Sequence, residues 1–261
     1  MSGNGAGNVS TLGVRFQELV NTTTRSKGKS KLLEGTGNEQ IEVHASGRNE
    51  LDNYMVASIK DAMGYVQSQH LPSLYDERIV ISFDHTVEVF FGGDSAGGAL
   101  AVAAISQKER IIPQDDVCMT GSIRSFDDIR AVGGIQPKAK AAAEKGFQIL
   151  LVPEENKDEL EYLELETLDQ LEIITGKVTT DFLCIALPTY KDSANPAAVL
   201  ALKRYAIAVN LTLNRQASKA LTVLDQLVKD YPAHYSAMRL RRLLEIAGYL
   251  PDDSVPPSLL K

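Results

Sequence analysis

The sequence is poor in cysteine, and it has neither a long apolar run nor an excess of positive charge. Only two cysteines occur in 261 residues, Cys118 and Cys184, and each stands in an apolar run, where a thiol behaves as a small buried hydrophobe and not as half of a disulfide. No window approaches the roughly 18 consecutive apolar residues of a membrane span. A net charge of −7 lacks the Lys and Arg surplus that phosphate binding requires, so nucleic acid is not expected as the main partner.

Metal-binding and targeting motifs are also missing. The sequence has no HExxH, no CxxC and no paired-histidine spacing, so neither a metal nor a cofactor is predicted. The four histidines lie outside glycine-flanked turns and are expected at surface and turn positions: His44, His70, His85 and His234. The Gly/Asn-rich N-terminus has neither the basic nor the apolar part of a signal peptide, which predicts a cytoplasmic protein.

Strand and helix patterns follow one another over residues 14–190, after a disordered tail over residues 1–13. We expect one or two hairpins within residues 14–43, helices over 50–69, 96–106, 137–146 and 178–187, and strands over 78–83, 87–91, 117–120 and 147–152, with a short helix and strand within 163–175. These elements predict an α+β domain of mixed sheets with packed helices.

A second region, residues 191–261, should be an all-α extension. Amphipathic helices are predicted over 197–213, 218–230 and 235–247. Their proposed apolar faces are Leu202, Tyr205, Ala206 and Val209 on the first helix, and Leu221, Leu224, Leu227 and Val228 on the second. The second helix resembles that of a tetratricopeptide repeat, although a helical hairpin of no family has the same pattern. Such faces must be buried against the first domain or a neighbouring subunit.

A serine follows a strand-like run that ends in glycines, in Gly92-Gly93-Asp94-Ser95-Ala96-Gly97-Gly98. A helix should begin there, which places the Ser95 hydroxyl at the positive end of a helix, beside N–H groups without intrahelical partners. Such groups stabilise an oxyanion, and the small neighbours let a substrate backbone approach. Ser95 is therefore a candidate nucleophile, and the alternative is a glycine-rich turn in which Ser95 only caps the helix.

A serine nucleophile needs a base, and Lys138 is the candidate. It follows Gly133-Gly134-Ile135-Gln136-Pro137, which puts it in the first turn of an alanine-rich helix. Burial and the positive helix end both lower a lysine pKa, and a neutral amine can accept the serine proton. The alternative is a solvated helix lysine, as expected for Lys140 and Lys145.

Several blocks, in a fixed order, carry a family resemblance. They are Asp94-Ser95-Ala96-Gly97, Met119-Thr120-Gly121, Gly133-Gly134 with Lys138, Lys145-Gly146, and the run from Leu150 to Asn156. They resemble consecutive signature blocks of the Lon protease catalytic domain over residues 50–187. Lys138 lies 43 positions after Ser95, which is the spacing of the Ser–Lys dyad in that family.

The resemblance implies roles for several residues. Ser95 and Lys138 are the catalytic dyad, Thr120 orients the lysine amine, and Asp94 supports the dyad as in archaeal-type members. Gly93 and Ala96 belong to the oxyanion and substrate loop. Two departures from the family pattern bear on the tuning of the dyad: Gly92 stands where an acidic residue is common, and Ser122 stands where glutamate is common.

The resemblance further implies a serine endopeptidase that cleaves unfolded polypeptides within a homo-oligomeric, hexameric ring. No G-x-x-x-x-G-K-[ST] motif is present, since Thr23 replaces the first glycine before Gly28-Lys29-Ser30. We therefore expect a stand-alone, ATP-independent enzyme with no membrane partner. Two alternatives remain: a catalytically silent Lon-like scaffold that oligomerises and binds a protein or nucleic acid, and an interaction module whose C-terminal helices recruit a partner protein.

Overall fold

The computed structural model describes residues 11–18, 30–34, 40–45, 52–69, 77–84, 93–124, 127–190, 196–252 and 254–256. The strands are β1 (Thr11–Glu18), β2 (Ser30–Glu34), β3 (Gln40–Ala45), β4 (Glu77–Asp84), β5 (Val117–Met119), β6 (Ser122–Arg124), β7 (Asp128–Arg130), β8 (Ile149–Pro153) and β9 (Glu172–Gly176). The helices are α1 (Asn53–Gln69), α2 (Gly97–Glu109), α3 (Ile135–Glu144), α4 (Lys157–Leu160), α5 (Leu165–Gln170), α6 (Thr179–Ala186), α7 (Pro196–Leu213), α8 (Ala217–Asp230) and α9 (Tyr235–Ile246).

The described strands form three sheets. A mixed sheet has the order β1-β4-β3-β2, in which β4 is antiparallel to β1 and parallel to β3, and β2 and β3 form an antiparallel hairpin. A parallel sheet has the order β5-β8-β9, and β6 and β7 form a short antiparallel hairpin. The mixed α/β architecture predicted from the sequence is confirmed.

The parallel sheet separates two apolar cores. Successive side chains of a strand point to opposite faces, and in β8 Ile149 and Leu151 join the core formed with α1, α2 and α6, while Leu150 and Val152 join the core formed with α3 to α5. All five residues of β8 are buried, as expected for a parallel strand covered on both faces. The chain continues from the carboxyl end of β5 to Thr120 and from that of β8 to a 3₁₀ turn, Glu154–Asn156.

The C-terminal helices pack on the domain that precedes them. The connection between α8 and α9 covers the open edge of β9, where the Ile173 N–H donates to Ser236 Oγ and the Thr175 N–H donates to the Ala233 carbonyl, each at 2.8 Å. His234 Nε2 bonds the Glu172 carboxylate, also at 2.8 Å. Buried apolar residues of α7 to α9 share one core with those of α1, α2 and α6. Of the two expected places for their apolar faces, the first domain is therefore confirmed, and the likeness to a tetratricopeptide repeat stays a prediction.

The structure also differs from the sequence-based expectations. The β6–β7 hairpin and α4 were not predicted, because elements of three or four residues are too short to display a period. On α7 the buried apolar residues are Ala198, Ala201 and Ala208, whereas Ala206, assigned to the buried face, is exposed. β1 begins at Thr11, just before the proposed boundary at residue 14, and the strand expected over residues 87–91 lies outside the described residues.

No helix within the described part of the chain has both the length and the apolar character needed to cross a membrane.

Candidate active site

The turn that carries Ser95 is held from one side by helix α1. Asp52 accepts hydrogen bonds from the N–H groups of Met55, at 2.7 Å, and Gly93, at 2.9 Å, so one carboxylate joins the start of α1 to the start of the turn. Ser58 Oγ, on the buried side of α1, donates to the Asp94 carbonyl at 2.9 Å. The two residues directly before Ser95 are therefore fixed by Asp52, which precedes α1, and by Ser58 of α1.

From the other side, the turn is paired with the segment that follows β5. The Gly121 N–H donates to the Ser95 carbonyl at 2.9 Å, and the Gly98 N–H donates to the Gly121 carbonyl at 3.0 Å. This close approach requires glycine, because a Cβ at Gly97 would lie 2.8 Å from the backbone nitrogen of Ile123. The small residues expected to admit a substrate also let two backbone segments meet.

The backbone N–H groups at Ser95 are available to a ligand. Helix α2 begins at Gly97, and among the hydrogen bonds between described residues the N–H groups of Ser95 and Ala96 have no acceptor. The Gly93 N–H, by contrast, is used by Asp52. Two adjacent donors with no acceptor in the described part of the chain, next to a half-buried serine, are groups that could stabilise an oxyanion.

Lys138 lies in the first turn of α3, behind Gly134, whose φ of 73° allows the chain to enter the helix. Lys138 lies beside the face of α3 that is buried in the second core through Ile135, Ala139 and Ala142. Burial lowers the pKa of Lys138 from its ordinary value, and the nearby carboxylates of Asp94 and Glu159 oppose that shift.

Thr120 connects Lys138, the candidate base, to the turn that carries Ser95. Lys138 Nζ donates to Thr120 Oγ1 at 3.2 Å, and Thr120 Oγ1 lies 3.5 Å from the Ser95 carbonyl oxygen, to which it donates. Within the described part of the chain, no hydrogen bond joins the Lys138 amine to the Ser95 hydroxyl. The structure thus brings Ser95, Thr120 and Lys138 into one hydrogen-bonded unit whose centre is Thr120.

The loop that leads into α3 is fixed by the turn after β8. Asn156 is almost fully buried and bonds both backbone groups of Val132: its Oδ1 accepts the N–H at 3.0 Å and its Nδ2 donates to the carbonyl at 2.9 Å. The same Nδ2 donates to Glu159, at 2.6 Å, and Glu155 accepts the Ala131 N–H, at 2.9 Å. Lys138 is therefore positioned by buried polar groups as well as by apolar packing.

Comparison with known proteins identifies the architecture around these residues. The family model of the Lon protease (S16) C-terminal proteolytic domain matches residues 27–189, which is more than half of the chain. The chain belongs to this family.

Individual relatives agree with that assignment. A Lon protease of Geobacter metallireducens is 28% identical over 167 residues, which is 62% of this chain and 20% of that protein. Lon protease 1 of Myxococcus xanthus is 31% identical over 143 residues, 53% of this chain and 18% of that protein. An archaeal Lon protease of Thermoplasma acidophilum is 39% identical over 95 residues, 36% of this chain and 14% of that protein. The chain thus spans about a fifth or less of the length of these Lon relatives.

Charged residues surround the Ser95 turn of this Lon-type domain. The Asp94 carboxylate forms an ion pair with Arg124 at 3.3 Å, and the arginine side chain is two-thirds exposed. On α1, burial raises the pKa of Asp61, which Arg124 lowers and Asp94 raises. Asp94 therefore faces a cation and a second carboxylate at the rim of the site, and not only Lys138.

Histidine, cysteine and acidic side chains are the other groups of the chain that could take part in catalysis or bind a metal ion. Within the described residues, no group of three or more His, Cys, Asp or Glu side chains is placed to hold a metal ion. His234 lies in the turn before α9, as predicted, but not at the surface: the ring is fully buried, and its Nδ1 accepts the Ala237 N–H at the start of α9. Cys184 is a buried thiol outside any disulfide between described residues, and burial raises the pKa of the Cys118 thiol to about 12.

Reasoning from the sequence did not identify Asp52, Ser58 or Asn156 as site residues. A signal exists for Asp52, since an aspartate immediately before an apolar periodic run is a helix N-cap pattern. Its second bond, to Gly93, joins residues 41 positions apart and has no local signature. The same holds for Asn156, which bonds Val132 across 24 positions.

Proposed function

We propose that this chain is a serine endopeptidase in which Ser95 is the nucleophile and Lys138 is its general base. The observation that carries the proposal is the hydrogen bond from Lys138 Nζ to Thr120 Oγ1, on a lysine whose pKa burial lowers. An amine that donates one hydrogen to Thr120 and is neutral retains a lone pair, and a lone pair is what a base for Ser95 requires. Membership of the Lon family supports the same reaction class.

In the proposed reaction, the Ser95 hydroxyl attacks the peptide carbonyl carbon while its proton moves to Lys138 Nζ. The negative charge on the carbonyl oxygen is stabilised by the N–H groups of Ser95 and Ala96. The Lys138 ammonium then returns the proton to the departing amine, and water, deprotonated in turn by Lys138, hydrolyses the acyl-enzyme. Gly93 contributes through the shape of the turn and not through its N–H, which Asp52 holds.

We further propose that the substrates are unfolded or loosely structured polypeptides and that hydrolysis requires no ATP, since the sequence contains no P-loop motif. A hexameric ring in the cytoplasm is the proposed assembly, with the helices α7 to α9 available to a protein partner. A closed ring is the expected product of a heterologous interface repeated about an axis.

The experiment that tests this proposal is hydrolysis of unfolded casein, with and without ATP, by the wild type and by Ser95→Ala. Ser95→Ala should abolish cleavage and leave the gel-filtration profile and melting temperature unchanged, because a small side chain replaces another. Ser68→Ala is the matched control, since Ser68 is exposed near the end of α1 and bonds only the Tyr65 carbonyl there. Cleavage that persists in purified Ser95→Ala would remove Ser95 from the mechanism, and a strict need for ATP would contradict the ATP-independent reaction.

One observation favours a second candidate, a catalytically silent Lon-like scaffold. The Lys138 amine bonds Thr120 and not the Ser95 hydroxyl in this structure. A fluorophosphonate probe separates the two functions, because only an activated serine reacts with it. Labelling of the wild type that is lost in both Ser95→Ala and Lys138→Ala supports the peptidase, whereas an oligomer that is neither labelled nor active supports the scaffold.

A further inference from the structure

We propose that Asp52 is a positioning residue for catalysis, which fixes the nucleophile turn to the N-terminus of α1 through a carboxylate shared between Met55 and Gly93. The inference rests on the proposed function of Ser95. It assigns to Asp52 a role that the helix cap alone does not require.

The geometry separates two tasks of the one side chain. Asp52 Oδ1 accepts the Met55 N–H at 2.7 Å and so caps α1, a task that serine or asparagine performs equally well. Asp52 Oδ2 accepts the Gly93 N–H at 2.9 Å. Only a carboxylate offers acceptors on both sides, because asparagine presents a donor on its second atom and serine has a single oxygen.

The turn needs an external support because its own side chains supply little packing. Gly93 has a φ of +86°, and a Cβ built there would meet no atom within 4 Å. The residues that follow are small or polar, so this part of the turn is held mainly by hydrogen bonds to its backbone. Asp52 holds the N–H of residue 93 and Ser58 holds the carbonyl of residue 94, which are the last groups before Ser95.

The bridge also determines which donors remain for the substrate. With the Gly93 N–H occupied, the N–H groups of Asp94, Ser95 and Ala96 are the ones in the turn that have no acceptor among the described residues. If the bridge is lost, the turn can rotate about Gly93 and the free donors no longer point in one direction. A displacement of about 1 Å at reacting groups costs on the order of a hundredfold in rate.

The test compares Asp52→Asn and Asp52→Ser, which retain the cap and lose the bridge, with Ala57→Gly. Ala57 is an exposed residue of α1, so glycine there weakens the helix by its low propensity without contact to the turn. The measurements are kcat and KM on a fluorogenic peptide, the melting temperature, and hydrogen exchange of the amides of residues 93–96. Hydrogen exchange requires no catalytic activity.

Both Asp52 variants should lower kcat by about tenfold to a hundredfold and accelerate exchange at residues 93–96, with KM within about twofold of the wild type. Ala57→Gly should lower the melting temperature and leave kcat and exchange at the turn unchanged. Unchanged kcat and exchange in the Asp52 variants would overturn the proposal, and so would a loss of kcat in Ala57→Gly equal to theirs. If Ser95→Ala retained activity, the nucleophile assignment would fail, while exchange at the turn would still decide whether the bridge exists.

Discussion

The two halves of the candidate dyad are held in place by different forces. The Ser95 turn consists of small or polar residues, and its backbone donates a hydrogen bond to Asp52 and accepts hydrogen bonds from Ser58 and Gly121. Lys138, in contrast, stands on a helix beside the face that is buried in an apolar core. The nucleophile must remain accessible to a substrate backbone, whereas the base must lose water to become neutral.

This difference matches the chemical requirement of each group. Hydrogen bonds fix direction without covering the turn, so they suit a hydroxyl that has to meet a carbonyl carbon. Apolar packing excludes water, and exclusion of water lowers the pKa of an amine. The two halves meet at Thr120, whose hydroxyl is buried and bonds both of them.

The largest effect is expected at the base itself. Lys138→Arg should lower kcat by about a thousandfold or more, because a guanidinium stays charged and cannot accept a proton. Lys138→Ala should be equally inactive, and Lys140→Arg, on the exposed side of α3, is the matched control. Hydrolysis of a fluorogenic peptide measures both. Substantial activity in Lys138→Arg would show that Lys138 acts only as a cation.

A cavity in the second core, against which α3 packs, should lower the free energy of unfolding strongly. Leu160 is fully buried in the second core, so Leu160→Ala should lower the free energy of unfolding by about 2–5 kcal/mol. Leu165→Ala, at a position 67% exposed, should change it by less than about 0.5 kcal/mol. Urea denaturation compares the two variants. Equal losses would mean that the second core does not support the base as described.

The element patterns predicted from the sequence agree with the structure where the elements are long. The alternation of β3 and the helical period of α1 were visible because each spans enough residues for a period to repeat. The burial of Lys138 was predictable, since alanines at 139, 142 and 143 mark the buried face of α3. On α7 the same reasoning failed, because apolar residues occur on all sides of that helix and the sequence does not indicate which side is buried.

The support of the site was not predictable from local patterns. Asp52 and Gly93 are distant in sequence, and so are Asn156 and Val132, yet each pair forms a direct hydrogen bond. Such bonds depend on how α1 and the turn after β8 are placed by the sheets, and the composition of either segment does not encode its partner. Candidates for the reactive residues could be named from motifs, whereas the residues that hold them in place could be found only from the structure.

A smaller effect on kcat is expected at Thr120, which lies between the Ser95 turn and Lys138. Thr120→Val keeps the shape of the side chain and removes the hydroxyl that bonds Lys138, so kcat should fall by about tenfold, the value of one hydrogen bond of about 1.4 kcal/mol. Thr212→Val is the control, because that hydroxyl bonds only the Ala208 carbonyl on α7. Rates on the fluorogenic peptide should separate the two. An unchanged kcat in Thr120→Val would mean that the halves are oriented independently.

The smallest expected effect on the rate concerns the charged residues at the rim of the site. There Asp94, in the Ser95 turn, acts on the Lys138 amine. The Asp94 carboxylate raises the pKa of Lys138, against the effect of burial. Since Lys138 acts when neutral, the rate should increase as pH rises through its pKa. Asp94→Asn should therefore move the acidic limb of the kcat/KM profile to lower pH and raise the rate on that limb.

Arg124→Gln is the opposing variant, because it leaves the Asp94 charge without its cation. It should move the same limb to higher pH and lower the rate there. The Asp94 and Arg124 side chains are 31% and 67% exposed, so solvent screens the pair to below about 1 kcal/mol and each change in rate should stay below about fivefold. If the two variants displaced the acidic limb of the pH-rate profile in opposite directions, the rim charges would be shown to act on the pKa of Lys138. Displacement in one direction by both variants would instead indicate a shared change in the shape of the turn, since a purely electrostatic effect must reverse sign with the charge removed.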